Sequence, residues 1–177
     1  HPDRRKLPGI EANTGSLGQG VSIACGLASA LKLDCNPGRV YVLVGDGELA
    51  EGQLWEAFMS AANFKLDNLR VIIDHNGLQA TGKTKDRFPI EQLDEKFLSF
   101  GFDVQHINGH CFEEILNAFA HADTVKGKPV AMIADTVKGK GISFAENVAS
   151  FHNSSFTQEQ YETAMAELIG KGEKKNA

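Results

Sequence analysis

A chain of 177 residues, 42% hydrophobic and 23% charged, has the composition of one ordinary globular domain with a single sizeable core. Its formal net charge of -5 gives no electrostatic footprint for nucleic acid, and the basic stretches Arg4-Arg5-Lys6 and Lys171 to Lys175 read as solvated ends. No apolar run approaches the roughly 18 residues needed to span a bilayer, which excludes a membrane span, and nothing reads as a signal peptide.

The chain carries Cys25, Cys35 and Cys111, an odd number without Cys-x-x-Cys spacing. That pattern argues against a disulfide framework or a zinc site and for a reducing, cytoplasmic setting.

In chain order, Leu17 to Leu33 is small and apolar and predicts a buried helix, with Thr14 and Ser16 as candidate caps. Arg39 to Val44 is short and β-branched, the signature of a strand buried on both faces. From Glu51 to Phe64, Trp55, Phe58, Met59 and Ala62 recur on one helical face. Leu69 to Asp74 is a second strand, His75 to Pro89 a polar loop, and Ile90 to Phe100 a helix. Phe102 to Ile107 and Pro129 to Val137 are the third and fourth strands, flanking a helix from Cys111 to Asp123.

Lys138 to Phe156 reads as irregular. A last helix runs from Thr157 through Leu168, with Thr157 and Gln160 in capping-box spacing. One domain over residues 1–170 is expected, with 171–177 as a flexible tail.

Strands alternating with helices predict an α/β fold, a mainly parallel sheet covered on both faces. Each strand is followed by a polar turn bearing glycine: Gly45-Asp46-Gly47, His75-Asn76-Gly77, Asn108-Gly109-His110 and Lys138-Gly139-Lys140-Gly141. Ligands of open α/β sheets bind at the carboxyl ends of strands, so four such turns on one edge predict a site. Taken alone, Gly-Asp-Gly is a common turn. Placed where a strand meets a helix, its glycines allow close approach to an anion while the Asp faces a cation. Mg²⁺ takes oxygen ligands, commonly one or two carboxylates with phosphate oxygens and water.

The segment from Gly45 to Gly82 resembles the Gly-Asp-Gly…Asn signature of thiamine-diphosphate enzymes, and most closely that of transketolase. Pro8 to Gly20 (PGIEANTGSLGQG) is similar to a second block of that family, and His1-Pro2-Asp3 to the His-Pro-Glu shortly before it. Ser16 stands where the family usually has proline, and one residue is inserted between Pro2 and Leu7.

The resemblance implies the parallel-sheet, diphosphate-binding fold, with Mg²⁺ (Ca²⁺ or Mn²⁺ substituting) held by Asp46, Asn76 and the Leu78 carbonyl. Two diphosphate oxygens and a water would complete the octahedron. It implies that Gly45, Gly47 and Glu48 line the diphosphate, the last two through their backbone, and that Gly15, Ser16 and Leu17 line the cofactor rings. It also implies that His152 binds the diphosphate and His1 lies by the substrate, while Glu51 and Glu56 stand near a subunit interface. Glu51 has a plainer reading as an acidic residue at a helix start. His75, His106, His110 and His121 are expected to be ordinary surface or cap residues.

The activity so implied is transfer of a two-carbon ketol unit between sugar phosphates, with the cofactor supplying the carbanion chemistry. The family's second, pyrimidine-binding domain has no room after Leu168. The expectation is therefore the N-terminal subunit of a two-chain transketolase, completed by a C-terminal subunit in an α₂β₂ assembly. Two alternatives stay open. One is another thiamine-diphosphate enzyme, such as a 2-oxo-acid dehydrogenase alpha subunit or a modified-sugar synthase; the other is a non-catalytic partner-binding subunit.

Overall fold

The computed structural model describes residues 1–173. Four strands form one parallel sheet: β1 (Val40–Gly45), β2 (Leu69–His75), β5 (Asp103–Asn108) and β6 (Val130–Asp135). Their order in space is β1-β2-β6-β5, so the last strand in sequence is inserted between β2 and β5. Between β2 and β5 lies an antiparallel hairpin of β3 (Leu78–Gln79) and β4 (Gly82–Lys83), followed by the short helix α3 (Thr84–Arg87). The segment 75–89 is thus more ordered than the loop its sequence predicts. Two-residue strands are too short to leave a period-2 pattern.

The longer helices are α1 (Gln19–Leu33), α2 (Gly52–Asn63), α4 (Leu93–Ser99), α5 (Phe112–Thr124) and α6 (Gln158–Glu173). The capping expected at the start of α1 is corrected. Neither Thr14 nor Ser16 caps it; the N-cap is Gly18, at φ 86°, a left-handed conformation that glycine enters without a Cβ penalty. At α6 the expected capping box forms. The Gln160 N–H donates to Thr157 Oγ1 at 3.2 Å, and the Thr157 N–H to Gln160 Oε1 at 2.9 Å. Residues 174–177 of the tail expected from Lys171 lie outside the described residues.

Side chains on a strand alternate between faces, and the core follows that alternation. Val71, Ile73, Ala131 and Ile133 face α1, α2 and α4, where Val21, Ala28, Phe58 and Phe97 are fully buried. Val130 and Met132 face the other way, against Ala118 and Ala122 of α5. Phe58 is the hub of the larger cluster, with ring centroids 4.9 Å from Phe97, 5.8 Å from Phe102 and 5.7 Å from Trp55. Among the described residues, no helix is long and apolar enough to cross a membrane.

Asp67, in the turn before β2, joins three parts of the chain. It pairs with Lys32 Nζ at 2.7 Å and accepts the Gly127 N–H at 2.8 Å. Burial opposes its ionisation, but the Lys32 ammonium and the Gly127 N–H outweigh burial and hold its carboxyl below the usual value. A carboxyl depressed on folding stabilises the protein above its unfolded pKa of about 3.9, and that contribution is lost as pH falls through the folded value. Asp67→Asn should therefore flatten the acid limb of a stability-versus-pH curve below about pH 4, as read by denaturant melts. An unchanged limb would exclude Asp67 as a contributor.

The free cysteines differ in the same physical terms. Cys25 packs against the core with its thiol 3.6 Å from the Ala57 carbonyl, and burial pushes its pKa up to about 11. Cys35 is exposed. Because the thiolate is the nucleophile, a thiol reagent at neutral pH should label Cys35 rapidly and Cys25 only on unfolding, as followed by mass spectrometry.

Candidate functional site: a buried carboxylate between two strand ends

β1 and β2 are register neighbours, with Gly45 opposite Asp74, so the turns that follow them are neighbours too. After β1 the chain enters a 3₁₀ turn, Asp46–Ala50, whose first residue is 1% exposed. Asp46 Oδ1 accepts the N–H of Gly47 at 2.7 Å, and Oδ2 accepts the N–H of Gly77 at 2.5 Å. The second bond ties the end of β1 to the turn after β2. Gly77 makes it possible by adopting φ 72°. Beside it, Asn76 Oδ1 accepts the Leu78 N–H at 3.0 Å, and Leu78 opens the small hairpin. That hairpin packs tightly on the 3₁₀ turn: a Cβ at Gly47 would fall 2.7 Å from Gln79 Cβ, so only glycine fits without movement.

A carboxylate this buried ordinarily has a cationic partner. Among the described residues, no lysine or arginine pairs with Asp46. Burial raises its pKa, while the Gly77 and Gly47 N–H groups and nearby His75 act in the opposite direction. The vicinity offers a carboxylate, the Asn76 amide oxygen and the Leu78 carbonyl, all oxygens, the donor set that a hard divalent cation takes. These residues fit such an ion, which would supply the missing positive charge.

Glu48 reaches the other way. The sequence points to its backbone, but its carboxylate is engaged: Oε1 accepts the Gly18 N–H at 2.7 Å and Oε2 the Gly45 N–H at 3.3 Å. The loop before α1 is thereby clasped to the end of β1. Gln53 adds a second clasp by donating to the Leu17 carbonyl at 2.9 Å, and a Cβ on Gly18 would strike the Gln53 side chain. The result is a cleft of about 840 Å³ whose lining includes Gly15, Ser16, Leu17, Glu48 and Val44. The His1 ring closes over Gly15, where an added Cβ would lie 2.4 Å from the ring.

Hydrogen bonds to a charged group contribute about 1.5–3 kcal/mol. Glu48→Ala should lower stability by about that amount and speed exchange of the Gly18 amide, read by denaturant melts and hydrogen exchange. Unchanged protection of Gly18 would contradict the clasp.

The family model for the thiamine diphosphate binding domain of transketolase matches residues 1–174. The chain belongs to the transketolase family. It is 44% identical over 172 residues to the 6-deoxy-6-sulfo-D-fructose transketolase subunit SqwG of Clostridium sp., covering 97% of this chain and 62% of that protein. It is also 44% identical over 174 residues to an apulose-4-phosphate transketolase subunit of Phocaeicola vulgatus, with the same coverages of 97% and 62%. The chain thus spans somewhat less than two thirds of these relatives. Among solved structures, the transketolase of Campylobacter jejuni superposes with a TM-score of 0.86 at 36% identity, over 95% of this chain and 27% of that one. The transketolase from Leishmania mexicana gives 0.85 at 32% identity, over 95% and 27%.

In this transketolase domain the remaining candidates sit at differing distances from the cluster. His152 is exposed on a 3₁₀ turn, Ala149–Asn153, that packs against β3 and so reaches the same edge of the sheet. Glu51 is the exposed residue just before α2, and Glu56 is exposed one turn further on. Neither carboxylate bonds to the other candidates among the described residues.

Two histidines expected to be ordinary surface residues are not isolated. His75 and His106 converge on Asp135: His75 and Asp135 end β2 and β6, and His106 stands two residues before the end of β5. His110 accepts the Val137 N–H at 2.8 Å and His121 meets Asp103 at 2.9 Å, which keeps both in structural roles.

Proposed function

We propose that this transketolase domain holds Mg²⁺ through Asp46, Asn76 and the Leu78 carbonyl, and with it the diphosphate of thiamine diphosphate. The observation that carries this reading is the buried Asp46 carboxylate, paired with backbone N–H groups from two strand ends and with no Lys or Arg partner among the described residues. Ca²⁺ or Mn²⁺ should substitute, since the donors are all oxygen. Gly45, Gly47 and Glu48 border the diphosphate. Gly15, Ser16 and Leu17 line the cleft for the cofactor rings, and the exposed imidazoles of His1 and His152 offer hydrogen bonds to substrate and diphosphate. When bound, the cofactor supplies the electron sink for carbon–carbon cleavage.

The activity that follows is transfer of a two-carbon ketol unit from a ketose phosphate to an aldose phosphate. The chain acts as the N-terminal part of a two-chain transketolase, in an α₂β₂ assembly with a partner bearing the pyrimidine-binding domain. Glu51, just before α2, and Glu56, within it, are both exposed, and in this reading they face that interface. The exposed free thiol of Cys35 suits a reducing, cytoplasmic setting.

A second reading narrows the donor. Two relatives at 44% identity carry names that specify modified sugars, a sulfofructose and an apulose phosphate. A modified ketose is therefore the donor to test beside an ordinary one.

In the experiment the chain is paired with its partner, and xylulose 5-phosphate, sulfofructose and apulose 4-phosphate are offered in turn with an aldose phosphate. The expected result is transfer only from the assembled pair. Transfer by this chain alone would contradict the two-chain reading, and no transfer from any donor by the assembled pair would contradict the activity.

A further inference from the structure

Three adjacent strands, β2, β6 and β5, carry side chains able to ligate a metal near their carboxyl ends: His75 and Asp135 at the last positions of β2 and β6, and His106 two residues before the end of β5. Ile73, Ile133 and Val104, two residues earlier, pack on the main core, so alternation puts all three end groups on that same face of the sheet. His75 and Asp135 are register partners. His75 Nδ1 lies 2.7 Å from Asp135 Oδ1, and His106 Nε2 lies 2.9 Å from Asp135 Oδ2. One ligand atom from each of the three falls within 4.8 Å of the others. Behind His106, its Nδ1 is 3.2 Å from Asp94 Oδ2 at the start of α4.

We propose that His75, His106 and Asp135 form a second metal site, for a borderline transition ion such as Zn²⁺, separate from the oxygen-donor site at Asp46. The donor chemistry separates the two. Two imidazole nitrogens with one carboxylate oxygen suit zinc and leave a fourth position for water or a ligand, whereas magnesium prefers oxygens alone. Zinc bonds of about 2.0–2.2 Å keep tetrahedral ligand atoms roughly 3.3 Å apart, so the two hydrogen-bonded contacts have to lengthen by about half an ångström while wider pairs, within 4.8 Å at most, draw in. The side chains are free to do so, being 27%, 43% and 58% exposed for His75, His106 and Asp135. Metal-bound histidines usually donate their second ring N–H to a carboxylate, which fixes tautomer and ring orientation. Asp94 stands where that donation from His106 would go. The cysteine count carries no information about this site, because it uses no thiolate.

Zinc titrated into metal-stripped protein carrying Asp46→Asn, which removes the charge of the other site, tests the assignment by calorimetry. The expected result is one equivalent bound per chain, with a His75→Ala/His106→Ala double variant weakening it by roughly 100-fold or more. Asp94→Asn should weaken it about 10- to 100-fold without changing the stoichiometry, as expected for an orienting partner. Co²⁺ in place of zinc should give the visible bands of a four-coordinate nitrogen–oxygen site, absent in the double variant. Asp135→Asn provides the same comparison should the double variant fail to fold. Absence of zinc binding, or undiminished binding in the folded ligand variants, would overturn the proposal. Because Asp46 is neutralised throughout, neither outcome bears on the thiamine diphosphate site.

Discussion

Asp46→Ala is expected to abolish the magnesium-dependent retention of thiamine diphosphate. Among the described residues Asp46 is the fully buried carboxylate between the ends of β1 and β2, and it bonds N–H groups of both following turns. A ligand at 100 times its dissociation constant stabilises a folded protein by about 2.7 kcal/mol. For a domain of this size that is a rise in Tm of roughly 5–10 °C. The parent protein should show this rise with cofactor and Mg²⁺ together, and the variant close to none.

Removing Asp46 also orphans the Gly47 and Gly77 N–H groups, at a cost of about 1–3 kcal/mol each in the absence of water. The apo Tm alone is therefore not diagnostic, and the ligand-induced shift is the quantity to compare. Asp46→Asn separates the two effects, since it keeps the shape and an acceptor while losing the charge. It keeps one of the two N–H bonds, so it should melt between Asp46→Ala and the parent and still lose the cofactor shift. A full shift in either variant would remove Asp46 from the metal site.

The largest stability loss is expected at Phe58→Ala. Phe58 is fully buried, and its ring makes edge contacts with Phe97, Phe102 and Trp55, which joins α2 to α4 and to the segment entering β5. Deleting it removes apolar contact and leaves a cavity lined by rigid aromatic rings that collapse poorly, for about 3–5 kcal/mol. The corresponding fall in Tm is roughly 6–20 °C. Phe112→Ala is the matched control: it deletes the same side chain at a position 80% exposed, and should stay within about 0.5 kcal/mol of the parent. Similar losses at the two positions would contradict the assignment of the core.

How far these features are legible in the sequence depends on their range. The strands and longer helices are visible as short apolar runs or helical periods, but their buried faces are only partly so. β1, expected to be buried on both faces, is an edge strand with Tyr41 and Leu43 52% and 69% exposed. On α2, Met59 is 49% exposed while Leu54, Ala57 and Ala61 join Phe58 in the core. The order β1-β2-β6-β5 is not, because alternating strands and helices imply a parallel sheet without saying where the last strand inserts. Nor is the β3–β4 hairpin, which is too short for a pattern. Asp46 and Asn76 point to one place because each follows a strand, and adjacent parallel strands bring such turns together.

Contacts between distant segments leave no local trace. The Glu48 carboxylate bonds to Gly18, thirty residues upstream, and only the fold reveals that its side chain is engaged. His75, His106 and Asp135 look like scattered surface residues until three strand ends are placed side by side. At the start of α1, Thr14 and Ser16 have the chemistry of caps, but the left-handed turn at Gly18 carries both past the helix end. Local propensity yields there to the geometry of the cleft.

The central claim is that the cluster at the ends of β1 and β2 binds diphosphate through a metal. Calorimetric titration of thiamine diphosphate into the chain assembled with its partner, with Mg²⁺ and then with a chelator, tests it most directly. One cofactor per chain, bound only when Mg²⁺ is present, is the predicted result. Equal binding under chelation, or no heat with Mg²⁺ present, would contradict it.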